Sequence, residues 1–158
     1  MDIKFAKMNP NAIIPSKRDE DAGYDIYACI DSDVVIKPGE TKMIPTGLAS
    51  AFDEGYVAIL KERGSTGSRG MGLRCGVIDS GYRGQWFVAI TNLNTVDLVI
   101  SVGSGFRYEN SIVYPAGKAI AQAVFFEIPN TSVEEVSLED LNSIVSKRGA
   151  GKLGSSNK

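Results

Sequence analysis

The chain has 158 residues, a net charge of −2, 43% hydrophobic and 23% charged residues, enough for one domain with a real core and too little for two comfortable ones. That charge balance leaves no broad basic surface for nucleic acid. The chain has no histidine, which excludes Ser-His and Cys-His nucleophile pairs, the HExxH zinc site and the commonest general base.

The opening MDIKFAKMNP has no positive segment followed by an apolar core, so it is not a signal peptide. No apolar run approaches the roughly 18 residues of a membrane span, and a cytoplasmic protein with no membrane partner is expected. IKFAKM (3–8) and GYDIYACI (23–30) alternate as strands do, and DVVIKPGETKMIPTGLASAF (33–52) reads as strand, Pro-Gly turn, strand. GYVAILKE (55–62), QWFVAITNLN (85–94) and AIAQAVFFEI (119–128) are further apolar or alternating runs. Gly and Pro punctuate the chain at about 8- to 12-residue intervals, the spacing of an all-β barrel or sandwich. Residues Leu98 to Ser111, LVISVGSGFRYENS, read as an extra hairpin or a surface loop without chemistry. SLEDLNSIVSK offers a helix with Ser137 as N-cap, Asp140 three residues on, and apolar Leu138, Leu141, Ile144 and Val145; the alternative is a final strand plus loop. The tail RGAGKLGSSNK is Gly/Ser-rich with three cations, either a frayed end or a mobile anion-binding arm. Cys29 and Cys75 lack metal-ligand spacing and are expected as reduced thiols.

With no histidine, hydrolytic chemistry must rest on carboxylates and on a metal held by oxygen, for which magnesium is the natural choice. GVIDSGYRG (76–84) looks like a hairpin with Asp79 and Tyr82 at its bend. RGSTGSRG (63–70) gathers glycines, hydroxyls and two arginines, the groups that cradle phosphate, without Walker A spacing. Read singly, it is as well explained by a solvated loop. Asp25 within DAGYDIYA reads as a wet-face acid, and Asp79 as a turn-former. Gln122, in an otherwise apolar strand, must satisfy its amide through a structural hydrogen bond or a ligand.

In order, AGYDIYA, RGST, GVIDSGYRG, GKAIAQ and RGAGKLGSS, spread from residue 22 to residue 156, resemble the five motifs of the trimeric dUTP diphosphatases, or dUTPases. The third is the most specific, matching at Gly76, Ile78, Asp79, Tyr82 and Gly84. The resemblance implies an all-β fold, a distorted jelly-roll β-barrel over residues 1–146 with a short C-terminal arm, 147–158, as a flexible lid. It implies a homotrimer with sites at subunit interfaces, Mg2+ as cofactor, and a hydrolase cleaving dUTP to dUMP and diphosphate.

By the same resemblance, the backbone of Gly76, Val77 and Ile78 reads uracil, and Tyr82 packs beneath the deoxyribose. Asp79 holds the 3′-hydroxyl and orients the attacking water, in a reaction that needs positioning and charge neutralisation more than a strong base. Asp25 binds magnesium through water, Gln122 lies near the phosphates, Arg63 is the second-motif arginine, and Arg148 clamps the γ-phosphate. Lys152, Leu153 and Ser155 close over the substrate. The chain departs from the family's pattern at three of the motifs. Gly64 stands where the second motif has serine, leaving Ser65 or a backbone amide to donate. Lys118-Ala119 precedes Ile-Ala-Gln, and Lys152-Leu153 replaces glycine and the aromatic cap over uracil. The 98–111 insert exceeds the family's norm and offers a surface for a protein partner. Two competing readings are a dCTP deaminase of the same superfamily, for which the hairpin supplies no glutamate, and a nucleotide-binding regulatory β-module.

Overall fold

The computed structural model describes residues 1–74 and 76–151; Cys75, Lys152, Leu153 and Ser155 lie outside the described residues. Twelve strands follow in order: β1 Ile3–Lys7, β2 Tyr24–Ile26, β3 Val34–Ile36, β4 Thr41–Pro45, β5 Leu48–Phe52, β6 Tyr56–Lys61, β7 Met71–Arg74, β8 Val77–Asp79, β9 Phe87–Asn92, β10 Leu98–Ser101, β11 Ile112–Pro115 and β12 Ala121–Glu127. Two short helices interrupt them, α1 Gly64–Gly67 between β6 and β7, and α2 Leu138–Ser143 after β12.

The strands pair as β1-β5, β11-β10-β3, β2-β12-β6-β8 and β4-β9-β7, and none of these sheets closes on itself. The fold is mostly β and jelly-roll-like. Alternation explains the packing: in β5 Leu48, Ser50 and Phe52 are buried while Ala49 and Ala51 are half-buried. Ile26, Ile36, Ile44, Phe52, Trp86, Val88, Ile90, Leu98, Ile100 and Ile120 meet in one core. Trp86 fills it edge-on to Phe5, ring centroids 5.4 Å apart, and its indole N–H donates to Ser50 Oγ at 3.1 Å, so a buried donor is satisfied.

The structure corrects the sequence reading in several places. Segment 33–52 holds three strands, and β3 and β4 do not pair with each other; β3 pairs with β10 and β4 with β9. The Pro-Gly turn itself is present, with Gly39 at φ 74° and Glu40 N–H donating to Lys37 O. GVIDSGYRG is a turn, Tyr82 N–H to Asp79 O at 3.0 Å, but it joins strands of different sheets. β9 is buried along nearly all its length and takes two neighbours, β4 and β7, so it cannot also serve as a hairpin partner for β8, which pairs with β6. The segment 98–111 begins as core: Leu98, Val99 and Ile100 are fully buried in β10, and only 102–111 is surface loop. α2 has the expected cap, Ser137 Oγ accepting from Asp140 N–H at 3.0 Å, yet Leu138, Leu141, Ile144 and Val145 are all exposed.

Candidate functional site

The sheet β2-β12-β6-β8 positions both halves of the candidate site. β12 lies between β2 and β6, and its register sets Gln122 opposite Asp25 on one side and opposite Lys61 on the other. At the end of β6 the chain turns through α1. Thr66, fully buried, accepts from Arg63 N–H at 2.9 Å and donates to Arg63 O at 3.1 Å. RGSTGSRG thus begins as a short helical turn. It aims Arg63 back at β2, where Nε lies 2.8 Å from Asp25 Oδ1 and Nη2 donates to Oδ2 at 3.3 Å. Both side chains keep 32% exposure, so the two-pronged pair faces solvent on one side only.

Gln122 meets the structural half of its sequence expectation. Its Nε2 donates to Glu62 O at 2.8 Å, while the side chain also borders a cavity of about 790 Å³ with Asp25, Arg63, Gly64 and Ser65. Gly23 makes this possible: a Cβ there would collide with Gln122 Oε1 and come within 2.9 Å of its Cβ and Cδ. Glu62 is fixed in turn, its carboxylate accepting from Leu73 N–H at 2.8 Å, and that bond holds its pKa below the ordinary value. Ser65 Oγ accepts from Arg63 Nη1 at 3.3 Å. The opposite wall is the loop Ser16, Lys17, Arg18, Glu20 and Asp21, stiffened by Arg18 Nε on Asp21 at 2.8 Å and by Lys17 Nζ 5.5 Å from the Tyr24 ring centroid.

The other half lies elsewhere. Val77, Ile78, Asp79 and Tyr82 line a cavity of about 230 Å³ with Met43, Gln85 and Phe87. Tyr82 is 43% exposed, and its hydroxyl donates to Gln85 O at 3.0 Å. A Cβ at Gly84 would collide with the Tyr82 hydroxyl, so glycine lets the ring lie back across the bend. Arg83 pins that bend, Nη1 donating to Ser80 O at 2.5 Å, Tyr82 O at 3.2 Å and Ser50 O at 3.3 Å. Gly76 accepts from Leu60 N–H at 2.7 Å and presses so close to β6 that a Cβ would come 2.6 Å from Leu60 O.

Asp79 pairs opposite Val57 and Gln122 opposite Lys61, on strands flanking β6. For a flat sheet this separates their Cα atoms by about 17 Å, from roughly 3.4 Å per residue along β6 and 4.8 Å per strand across it. The two cavities share no lining residue. Arg148 borders neither; it is exposed, and its Nε donates to Gly151 O at 3.2 Å. Lys152, Leu153 and Ser155 fall outside the described residues. Among the described residues no cluster of three carboxylate or thiol ligands could hold a metal by itself, and no helix is long and apolar enough to cross a membrane.

Sequence reasoning missed Gly23, Glu62, Thr66 and Arg83, which touch the site residues and not a ligand. Thr66 had a legible signal, a hydroxyl three residues after Arg63, the spacing from N-cap to N3 at a helix start.

Comparison with known proteins identifies the family. The dUTPase family profile matches residues 9–107. A deoxyuridine 5′-triphosphate nucleotidohydrolase of Mycolicibacterium gilvum is 34% identical over 98% of this chain and 94% of its own length. One of Tolumonas auensis is 36% identical over 85% of this chain and 80% of its own. Among solved structures, a mutant dUTPase of Staphylococcus bacteriophage 80alpha with dUpNHpp superposes with a TM-score of 0.78 at 26% identity, covering 98% of both chains. A mutant dUTPase of phage phi11 of S. aureus, described for its coordination of a structural Mg(II) ion, gives 0.68 at 25% identity over 86% of this chain and 97% of its own. By sequence and by fold alike, the chain belongs to the dUTPase family.

Proposed function

We propose that the chain hydrolyses dUTP to dUMP and diphosphate as a homotrimer, each site combining the larger cavity of one copy with the Asp79 cavity of a neighbour. The observation that carries this reading is the separation of the two half-sites. A group that orients water at a phosphorus must lie within about 3 Å of it, or one water further, so at about 17 Å by strand geometry one chain's Asp79 and Gln122 cannot serve the same phosphate. A second copy supplies the missing half.

Within that site, Tyr82 packs beneath the deoxyribose and the backbone of Gly76, Val77 and Ile78 reads the uracil edge. Asp79 holds the 3′-hydroxyl and orients the water that attacks the α-phosphorus. Gln122, held by Glu62 O, presents its amide to the phosphates. Ser65, beside Gly64 on the α1 turn, donates in place of the family's serine. Residues 147–158 form a lid on which Arg148 clamps the γ-phosphate, and Lys152, Leu153 and Ser155 complete the cover.

The donor set fits magnesium held through water. Asp25 offers a carboxylate at the cavity wall, and Arg63 already engages both of its oxygens, which suits an outer-sphere contact better than direct ligation. Bound there, the ion would neutralise charge developing on the phosphates.

The test is to supply dUTP and dCTP with magnesium, and then to co-assemble two variants, Asp79→Asn and Gln122→Ala. Each variant alone should be nearly inactive. Random assembly should restore roughly a quarter of the parental sites, those with intact Gln122 from one copy and intact Asp79 from the next. Ammonia from dCTP would instead mark a deaminase, absence of dUMP would refute the hydrolase reading, and absence of recovery would refute shared sites.

A further inference from the structure

Beyond the Asp25–Arg63 pair lies another cavity, of about 460 Å³, lined by Tyr27, Arg69, Tyr114, Gly117, Lys118 and Ala119 together with Asp25, Arg63 and Ser65. Those last three also border the larger cavity, so a single ion pair and one hydroxyl form the partition between the two spaces. Asp25 is the only carboxylate among the lining residues, and both its oxygens already face Arg63. Arg69 and Lys118 therefore contribute two positive charges that no lining carboxylate offsets. Neither forms an ion pair among the described residues.

Arg69 is held by its side chain, and Lys118 is placed by its backbone turn. The Arg69 guanidinium sits 5.7 Å from the Tyr114 ring centroid, a cation–π arrangement. Tyr114 itself is buried, and its hydroxyl donates to Ala119 O at 2.8 Å. Lys118 projects from the β11–β12 turn closed by its own N–H on Pro115 O at 3.0 Å. A planar guanidinium and an ammonium lining one cavity, with the Ser65 hydroxyl at the shared edge, are donor chemistry for a phosphate oxyanion.

We propose that Arg69 and Lys118 form a second oxyanion subsite, which receives the diphosphate as it leaves the larger cavity across the Asp25–Arg63 partition. The proposal rests on the reading of the larger cavity as the place of the substrate's phosphates. Opposite charge beyond a thin partition draws the product away from the reacting phosphorus and lowers its chance of lingering there.

Calorimetric titration of the full chain tests it with three probes: inorganic diphosphate, dUMP and a non-hydrolysable dUTP analogue. In an R69Q/K118Q variant, diphosphate affinity should fall about tenfold or more, the scale for losing charged hydrogen bonds, and the loss should shrink in high salt. Affinity for dUMP should hold, which reports an intact fold. Lys118→Ala alone, on an exposed turn, should give a smaller loss in the same direction and keeps the test decisive if the double variant misfolds. Equal diphosphate binding by parent and variants overturns the proposal. So does a loss confined to the dUTP analogue, which would assign the cations to the terminal phosphates of bound nucleotide. If diphosphate binding depends on Arg69 and Lys118 while the parent fails to hydrolyse dUTP, the subsite stands and the proposed reaction falls.

Discussion

Replacing Gly23 by alanine isolates the one contact that seats Gln122. The added Cβ would meet the Gln122 amide oxygen and lie 2.9 Å from its Cβ and Cδ, so the glutamine must swing away and release Glu62 O. Overpacking of this kind costs about 1–3 kcal/mol, and the lost hydrogen bond about 0.5–1.5 kcal/mol more. Gly23 does not occupy the left-handed region, so alanine suits its backbone and by itself stabilises by about 0.4–1 kcal/mol through the unfolded chain. The net expectation for Gly23→Ala is a loss of about 2 kcal/mol, or roughly 4–8 °C in melting temperature for a domain of this size. In a Gln122→Ala background the collisions with the amide oxygen and Cδ are gone while the Cβ at position 122 stays 2.9 Å away, so the same substitution should still destabilise, but by clearly less. A double-mutant cycle by thermal unfolding, at fixed protomer concentration, measures the coupling, and dUTP turnover should fall in Gly23→Ala along with stability. Equal destabilisation with and without Gln122 would refute the reasoning, since the collision would then not lie with that side chain.

With Tyr82 proposed to pack beneath the deoxyribose and so leave no room for a 2′-hydroxyl, Tyr82→Ala should raise UTP cleavage relative to dUTP; an unmoved ratio of the two kcat/KM values would place the sugar gate elsewhere. Ending the chain at Ser146 should leave a folded protein with little activity, and full activity would make the arm dispensable. Asp33 accepts from the Ser104 hydroxyl, from Val102 N–H at 2.7 Å and from the Tyr108 hydroxyl at 2.8 Å, and these bonds, Ser104's foremost, hold its carboxyl down to about 2 from 3.8. A folded value below the unfolded one means that the contribution is present above pH 4 and fades as the pH falls toward 2. The Val102 amide resonance should therefore titrate with a midpoint near 2, and a midpoint at the ordinary carboxylate value would dismiss the anchoring.

The strand read most easily was β1, where the alternation of Ile3 and Phe5 with Lys4 is visible in the letters. β10 escaped because Leu98, Val99 and Ile100 are buried on both faces, which erases alternation and leaves an apolar run that looks like part of an insert. β7 and β11 escaped for want of length, at four residues each and interrupted by Gly72 or ended by Pro115. The candidate site was legible through five motifs in order and their resemblance to the dUTPase family; read singly, Asp25, Asp79 and RGSTGSRG each had a structural explanation. Its supports were not legible: that Gly23 makes room for Gln122, or that Arg83 caps three carbonyls, depends on chain segments far apart in sequence. The distance between Asp79 and Gln122 also needed the register of β6, which no motif encodes.

β10 and β11 run parallel, with Leu98 opposite Ile112 and Ser101 opposite Pro115, and the loop 102–111 is their only connection. A chain leaving the far end of one strand must travel back along its whole length before it can start a parallel neighbour, about 13 Å for four residues, and a two-residue turn cannot make that return. The loop is thus an obligatory return path, and its length has a floor but no ceiling. Deletions that trim it to a tight turn should unzip β11 from the core and drag Tyr114 out with it. Peptide tags or whole domains spliced at Gly103 or Gly105, exposed and with open space around them, should leave the core intact and cost at most the Ser104 contact to Asp33. Variation in this segment among natural sequences is therefore expected to be one-sided, with growth tolerated and loss selected against.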